Sequence, residues 1–148
     1  RLILVGSGPA AQALQARQPA AVFCGPRSGP FLAEHYASGD LFLFPSLTET
    51  YGNVVAEALA SGLPVVAYRD AAARELIEHQ VHGWLAEPGD EAAFVAGAVA
   101  LAEAPELRSR QRLAARERVA SLAWQAIVER LVTLQRQVIL SSPVTARR

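Results

Sequence analysis

The chain has 148 residues, of which 51% are hydrophobic and 19% are charged, and its formal net charge at pH 7 is zero. These values are typical of one soluble globular domain and exclude a mainly disordered chain. They give no support to nucleic-acid binding, because the 14 basic residues, all of them arginine, are matched by 14 acidic ones.

Hydrophobic periodicity predicts strands and helices in alternation along the chain. The predicted strands are residues 2–5, 21–24, 41–44, 64–67 and 84–85. The predicted helices are residues 9–17, 30–38, 52–61, 71–78, 90–103, 106–120 and 123–139. This order predicts an α/β fold, with a parallel sheet, helices on both faces and right-handed crossovers. One domain over residues 1–140 is expected, followed by a disordered tail over 141–148.

The segment 45–57, which reads PSLTETYGNVVAE, joins a predicted strand to a predicted helix. It places one acid, Glu49, in the loop and a second, Glu57, eight positions later inside the helix. Ligands of open parallel sheets lie beyond the carboxyl ends of the strands, where helix amino ends present N–H groups without partners. The donors expected to face an anion there are the backbone N–H groups of Gly52, Asn53 and Val54.

Glu57 needs a partner or water, because the helix around it is otherwise almost wholly apolar or small. Asn53 and Glu57 are four residues apart and should share one helix face, about one turn from the anion-binding donors. A carboxylate in that place can accept hydrogen bonds from both hydroxyls of a ribose. The alternative is that Glu57 lies on a narrow solvated stripe, and the spacing alone does not decide between the two.

The segment 44–67 resembles the signature of the family 4 glycosyltransferases, the retaining enzymes also called group 1. It has Pro-Ser, then Glu, seven residues, Glu-Ala, and later Ser-Gly-x-Pro-Val-Val-Ala. Other matching pieces follow the same order, at residues 2–9, 22–25, 36–40 and 82–85 and at Trp124. The resemblance runs from about residue 1 to about residue 134, and several motifs in consistent order make it specific.

The resemblance implies a Rossmann-like three-layer domain, the carboxyl-terminal half of a two-domain enzyme of the GT-B architecture. Such an enzyme transfers a sugar from a UDP- or GDP-linked donor to an acceptor hydroxyl, in glycan, polysaccharide or glycolipid synthesis. Glu57 resembles the acid that binds the ribose, and Glu49 resembles the acid at the donor sugar, which makes Glu49 the catalytic candidate. The residues that match the diphosphate-binding and sugar-binding segment are Gly52, Asn53 and Val54. Tyr51 stands where Phe is more usual, and no metal or cofactor is expected.

The same resemblance implies that parts of the enzyme are missing from this chain. Its first strand and helix, its amino-terminal domain and the Arg and Lys that clamp the diphosphate would lie upstream of Arg1. The acceptor site would belong to the other domain, so donor binding without useful turnover is expected.

With no signal-like start and no long apolar run, a cytoplasmic protein is predicted, with peripheral membrane contact as an option for the full-length enzyme.

Two glycine-rich loops lie in the first thirty residues. Residues 6–11 fit the Gly-x-Gly-x-x-Ala form of the dinucleotide fingerprint, but Cys24-Gly25 occupies the place of the acid that should end the next strand. NAD binding is therefore disfavoured against a tight turn near the donor, with Gly8 in it. In the next loop, Gly25 and Arg27 can approach a flat ring, and the family resemblance places the nucleobase there. A plain surface turn is the alternative.

Asp70 and the pair of His79 and His82 each allow two interpretations. Asp70 can cap the helix that follows it, which we favour, or contact the sugar together with Arg69. His79 and His82 have a spacing that could hold a metal, but Gly83 follows at once and no third ligand is evident, so a turn is predicted.

The last two helices carry a basic run and an apolar stripe. The basic run is Arg108, Arg110, Arg112, Arg116 and Arg118, for which a solvated helix face is favoured over an anionic-membrane patch. The apolar stripe is Trp124, Ile127, Val128, Leu131, Leu134 and Val138. It recurs at helical spacing and must be covered, so in this chain we expect it to be exposed or buried in a dimer.

Two other function classes remain open. A sugar-nucleotide epimerase of the same architecture would bind the same donor type but would not require the spacing between Glu49 and Glu57. A non-catalytic nucleotide-binding module would bind a nucleotide without transferring anything.

Overall fold

A computed structural model describes residues 1–49 and 52–141. Tyr51 and residues 142–148 of the predicted tail lie outside the described residues. The chain divides into two compact units, Arg1–Gly39 and Asp40–Arg148.

The first unit alternates two strands and two helices: β1 (Ile3–Leu4), α1 (Ala11–Arg17), β2 (Val22–Phe23) and α2 (Gly29–Ser38). β1 and β2 pair in parallel, with Ile3 opposite Val22. No residue between 1 and 39 is fully buried. The parallel pairing predicted from the alternation is thus confirmed in this unit.

The second unit contains three strands: β3 (Phe42–Phe44), β4 (Val65–Tyr68) and β5 (Gly83–Ala86). Its helices are α3 (Asn53–Ala60), α4 (Ala71–Leu76), α5 (Glu91–Glu103), α6 (Pro105–Val119) and α7 (Trp124–Ser141), with a 3-10 turn (Ala120–Leu122) before α7. The strands are parallel in the order β3-β4-β5. The elements lie within a few residues of their predicted places, but the described strands form two sheets, one in each unit, rather than one.

The core of the second unit surrounds β4, whose four residues are all buried. Val66 and Tyr68 pack with Phe94 and Leu101 of α5, and the rings of Tyr68 and Phe94 lie 5.1 Å apart. A central strand buried on both faces is what a continuous apolar run predicts for a covered parallel sheet. Burial of each Val, Leu or Phe side chain in this core contributes about 1.5–3 kcal/mol. The stable position of β4 therefore fixes where the loop at its carboxyl end begins.

Three of the five arginines on α6 donate hydrogen bonds to carbonyls at the carboxyl ends of other helices. The pairs are Arg108 with Leu101 and Ala102, Arg116 with Ser61, and Arg118 with Glu75. Carbonyls in the last turn of a helix carry the negative end of the helix dipole and mostly lack intrahelical partners, so a guanidinium stabilises them. α6 therefore ties together α3, α4 and α5, a role that neither interpretation of the basic run anticipated.

Two histidines fix the turn between α4 and β5. Nδ1 of His82 accepts the N–H of Glu78 at 3.0 Å, and Nδ1 of His79 accepts the N–H of Leu85 at 3.1 Å. Each imidazole thus uses its Nδ1 lone pair on the backbone, as expected of a turn rather than of a metal site. Burial of the ring and the nearby Arg118 guanidinium lower the pKa of His82 below 6.5, although the Glu78 carboxylate acts in the opposite direction.

We predict that the free energy of unfolding falls as the pH is lowered through about 6.5, the ordinary pKa of histidine. The folded state keeps His82 neutral where the unfolded chain already binds a proton, so stability is complete above that pH and declines below it. Urea titrations at a series of pH values measure this. His82→Asn keeps an acceptor for the Glu78 N–H but does not titrate, so it should flatten the profile. An unchanged slope in that variant would assign the effect to other groups.

The apolar stripe of α7 is exposed in the single chain, as expected. Trp124 is 79% exposed and Leu131 is 54% exposed, and the other stripe residues are exposed as well. Within residues 1–49 and 52–141, no helix combines the length and the apolar character needed to cross a bilayer.

Candidate functional site

The loop after β3 turns into α3 through Gly52, which is buried and has a left-handed φ of +86°. Glycine adopts this φ without steric cost. Among residues 1–49 and 52–141, no side chain caps the helix at this position, and Val55 N–H bonds the Gly52 carbonyl at 3.0 Å. The N–H groups of Asn53 and Val54 belong to the first helical turn, which has no intrahelical acceptors. The amino end of α3 therefore presents backbone donors.

A groove of about 600 Å³ lies beside α3. Asn53 and Glu57 both line it, so the shared helix face predicted from their spacing is confirmed. The other lining residues are Ala56, Ala60, Arg116, Val119, Ala120, Leu122, Ala123 and Trp124. Four of the lining residues are alanines. An amide, a carboxylate, a guanidinium and an exposed indole thus face one concave surface, which is the composition of a small-molecule site.

Glu49 lies in the loop before α3 and is exposed. Ser46 Oγ donates to Glu49 Oε1 at 3.0 Å. Glu49 is not among the residues that line the groove of Glu57. The two acids therefore do not form a paired acid-base centre: Glu49 precedes the amino end of α3, and Glu57 lies on its flank one turn further on.

The other predicted site residues belong to the first unit. The N–H of Gly6 donates to the Gly25 carbonyl at 2.9 Å, which joins the loops after β1 and β2. The carbonyl of Gly8 accepts the N–H of Ala11 and opens α1. Gly8 lies in a depression of about 280 Å³. Arg27 is exposed, and its Nη1 reaches only the neighbouring Pro26 carbonyl at 3.4 Å.

The cap role favoured for Asp70 from the sequence is confirmed, whereas the partner of Arg69 was not predicted. Oδ1 of Asp70 accepts the N–H of Ala71 at 2.8 Å, so Asp70 is the cap of α4. Arg69 instead pairs with Glu87, which follows β5, at 2.9 Å between Nε and Oε1. Both side chains are exposed, and such pairs contribute at most about 1 kcal/mol.

Sequence reasoning missed Ser46 and Arg116 as parts of this region. The pattern Ser-x-x-Glu at 46–49 could have pointed to Ser46, because it is the capping-box pattern, in which the two residues lie close together. Arg116 carries no comparable signal within the basic run. Among the described residues, no group of three or more His, Cys, Asp or Glu side chains could hold a metal ion.

Residues 1–104 match the family model described as "Glycosyl transferases group 1". The chain is 41% identical over 132 residues to a GDP-mannose-dependent alpha-mannosyltransferase of Mycobacterium tuberculosis, covering 89% of this chain and 34% of that protein.

Solved structures show the same fold. Sucrose-phosphate synthase from Thermosynechococcus elongatus matches with a TM-score of 0.81 and 27% identity, covering 95% of this chain and 39% of that one. HepE of Anabaena, solved in complex with UDP, matches with a TM-score of 0.72 and 27% identity, covering 88% of this chain and 40% of that one. The Rossmann-like α/β class predicted from the sequence is confirmed, and the chain spans less than half the length of these relatives.

Proposed function

The chain belongs to the group 1 glycosyl transferase family, and on this premise we propose that it is the donor-binding domain of a sugar-transferring enzyme. That enzyme would move a sugar from a nucleoside diphosphate to an acceptor hydroxyl with retention of configuration. The observation that carries the proposal is the uncapped amino end of α3 beside the groove that holds Glu57.

The diphosphate is proposed to lie at the amino end of α3. The first-turn N–H groups and the positive end of the helix dipole attract a phosphate there. Negative charge grows on the diphosphate as the bond to the sugar breaks, so donors fixed before the reaction stabilise the transition state more than the ground state. On this proposal the leaving group needs no metal and no cofactor.

The ribose is proposed to lie in the groove, with its two hydroxyls donating to the Glu57 carboxylate. Four residues along a helix rise about 6 Å. This rise is near the distance between a phosphate and the ribose of the same nucleotide, so Glu57 is proposed to reach the ribose when the phosphate lies at Asn53. The groove volume of about 600 Å³ lies within the usual range for small-molecule sites.

Glu49 is proposed to contact the hydroxyls of the donor sugar. It is therefore the catalytic candidate of this domain. From the family resemblance we also propose that Gly8 forms a turn near the donor and that Gly25 and Arg27 contact the base. Tyr51 is proposed to pack beside the donor.

The names of the relatives support a nucleoside diphosphate sugar as the donor class. The mannosyltransferase is named for GDP-mannose, and HepE was solved with UDP. The chain covers 34% of the mannosyltransferase, so we assign the acceptor site to a partner domain of the same enzyme. We propose that this enzyme is cytoplasmic. If its acceptor is a lipid, the enzyme would act at the membrane surface. The exposed α7 stripe is the surface proposed to pack on the partner domain or on a second copy.

Calorimetric titration of the chain with UDP, GDP and NAD tests the donor class. Binding of UDP or GDP at one site, with NAD much weaker, is expected, while a preference for NAD would overturn the proposal.

The family match favours transfer over the isomerisation of an epimerase. Transfer and epimerase assays of the intact enzyme separate these two, and absence of both activities would leave a non-catalytic module. The chain by itself should bind a donor without transferring it.

A further inference from the structure

Ser46 is the one described residue whose side chain holds the Glu49 carboxylate. Its Oγ lies 3.0 Å from Glu49 Oε1 and 3.5 Å from the Thr48 carbonyl. A hydroxyl has one proton to donate. The shorter contact is to a charged acceptor, where hydrogen bonds are roughly twice as strong as neutral ones. The Ser46 proton is therefore directed at Oε1 of Glu49.

The aliphatic part of Glu49 lies beside Gly52. A Cβ placed on Gly52 would lie 3.8 Å from Glu49 Cγ and 3.7 Å from Phe44 Cε1. The glycine thus brings the glutamate stem and the Phe44 ring up to the backbone that opens α3. An exposed glutamate otherwise loses rotamer entropy when it is ordered. The hydrogen bond from Ser46 at Oε1 removes part of that cost before any ligand binds.

We infer that Ser46 is a positioning residue that presents the Glu49 carboxylate to the donor sugar. Oε1 is held by Ser46, and Oε2 is the oxygen that we assign to a sugar hydroxyl. The inference rests on the proposed function, because it assigns Glu49 to the sugar and not to the nucleotide. Ser46 should therefore affect recognition of the sugar and leave recognition of the nucleoside diphosphate unchanged.

The binding test compares affinities for UDP and UDP-glucose, and for GDP and GDP-mannose, by calorimetry on the 148-residue chain. Ser46→Ala should weaken the sugar-bearing ligand about three- to tenfold and change the diphosphate less than about twofold. Ser46→Thr keeps the hydroxyl and should restore most of the affinity. In a Glu49→Ala background, Ser46→Ala should have no further effect. Ser61→Ala is the matched control, because it also removes a serine hydroxyl that donates a hydrogen bond, in this case to the Glu57 carbonyl at 2.9 Å and not to Glu49.

Equal loss for both ligands, persistence of the Ser46→Ala effect without Glu49, or failure of threonine to rescue would overturn the inference. A second measurement needs no ligand: NMR relaxation of the Glu49 methylene groups should show greater mobility in Ser46→Ala than in the wild type. Unchanged mobility would also overturn it. If the wild type binds none of the four ligands while the mobility change is seen, the proposed function fails and the positioning contact stands.

Discussion

Gly83→Ala is expected to prevent the three-stranded sheet from forming. Gly83 begins β5 and lies opposite Val65 of the central strand. A Cβ on Gly83 would overlap the Val65 carbonyl oxygen and lie 2.6 Å from the Val65 nitrogen, and the φ of +156° adds strain. These are backbone atoms of a residue with no exposed surface, so they cannot move aside. We expect a loss of more than about 4 kcal/mol, a large part of the stability of a domain of this size.

Thermal and urea unfolding followed by circular dichroism measures the effect. Gly89→Ala is the matched control, because Gly89 also has a positive φ, +85°, but a Cβ there would meet nothing within 4 Å. It should cost only the backbone strain of about 1–2 kcal/mol. Equal losses in the two variants would show that the contact between β4 and β5 is looser than described.

Glu57→Ala is expected to weaken nucleoside diphosphate binding by about 10- to 100-fold. Hydrogen bonds to a charged group contribute about 1.5–3 kcal/mol, and about 1.4 kcal/mol corresponds to tenfold in affinity. The loss should be specific to the ribose, because the carboxylate is proposed to accept from its hydroxyls. Calorimetry with UDP or GDP and with the 2′,3′-dideoxy analogue therefore separates the contact from a general effect.

The wild type should prefer the ribose form, and Glu57→Ala should bind both forms equally weakly. Glu103→Ala removes an exposed acid from the end of α5, away from the groove, and serves as the control for lost charge. Unchanged affinity in Glu57→Ala would remove Glu57 from the donor site.

Local patterns were sufficient for much of the fold and for part of the site. The helical spacing of Asn53 and Glu57 predicted the face they share in the groove, because residues four apart on a helix are neighbours. Asp70 was recognisable as a cap, since it immediately precedes a short helix and its side chain accepts from that helix. In each case the relevant partner lies within a few residues.

Contacts between distant residues could not be predicted in this way. Arg118 bonds a carbonyl 43 residues away, and Arg116 bonds one 55 residues away. An arginine on an exposed helix face gives no local sign of which helix end it will reach. For the same reason, the wall that Arg116 and Trp124 add to the groove depends on how α6 and α7 pack, which one sequence does not reveal.

The most direct test of the donor site follows backbone amide signals by NMR during a titration with UDP or GDP. The account predicts that the largest changes fall at Gly52, Asn53 and Val54, with smaller ones along α3 to Glu57. It also predicts that inorganic pyrophosphate reproduces the changes at the helix start but not those at Glu57. Saturable binding whose changes avoid the start of α3 would contradict the account.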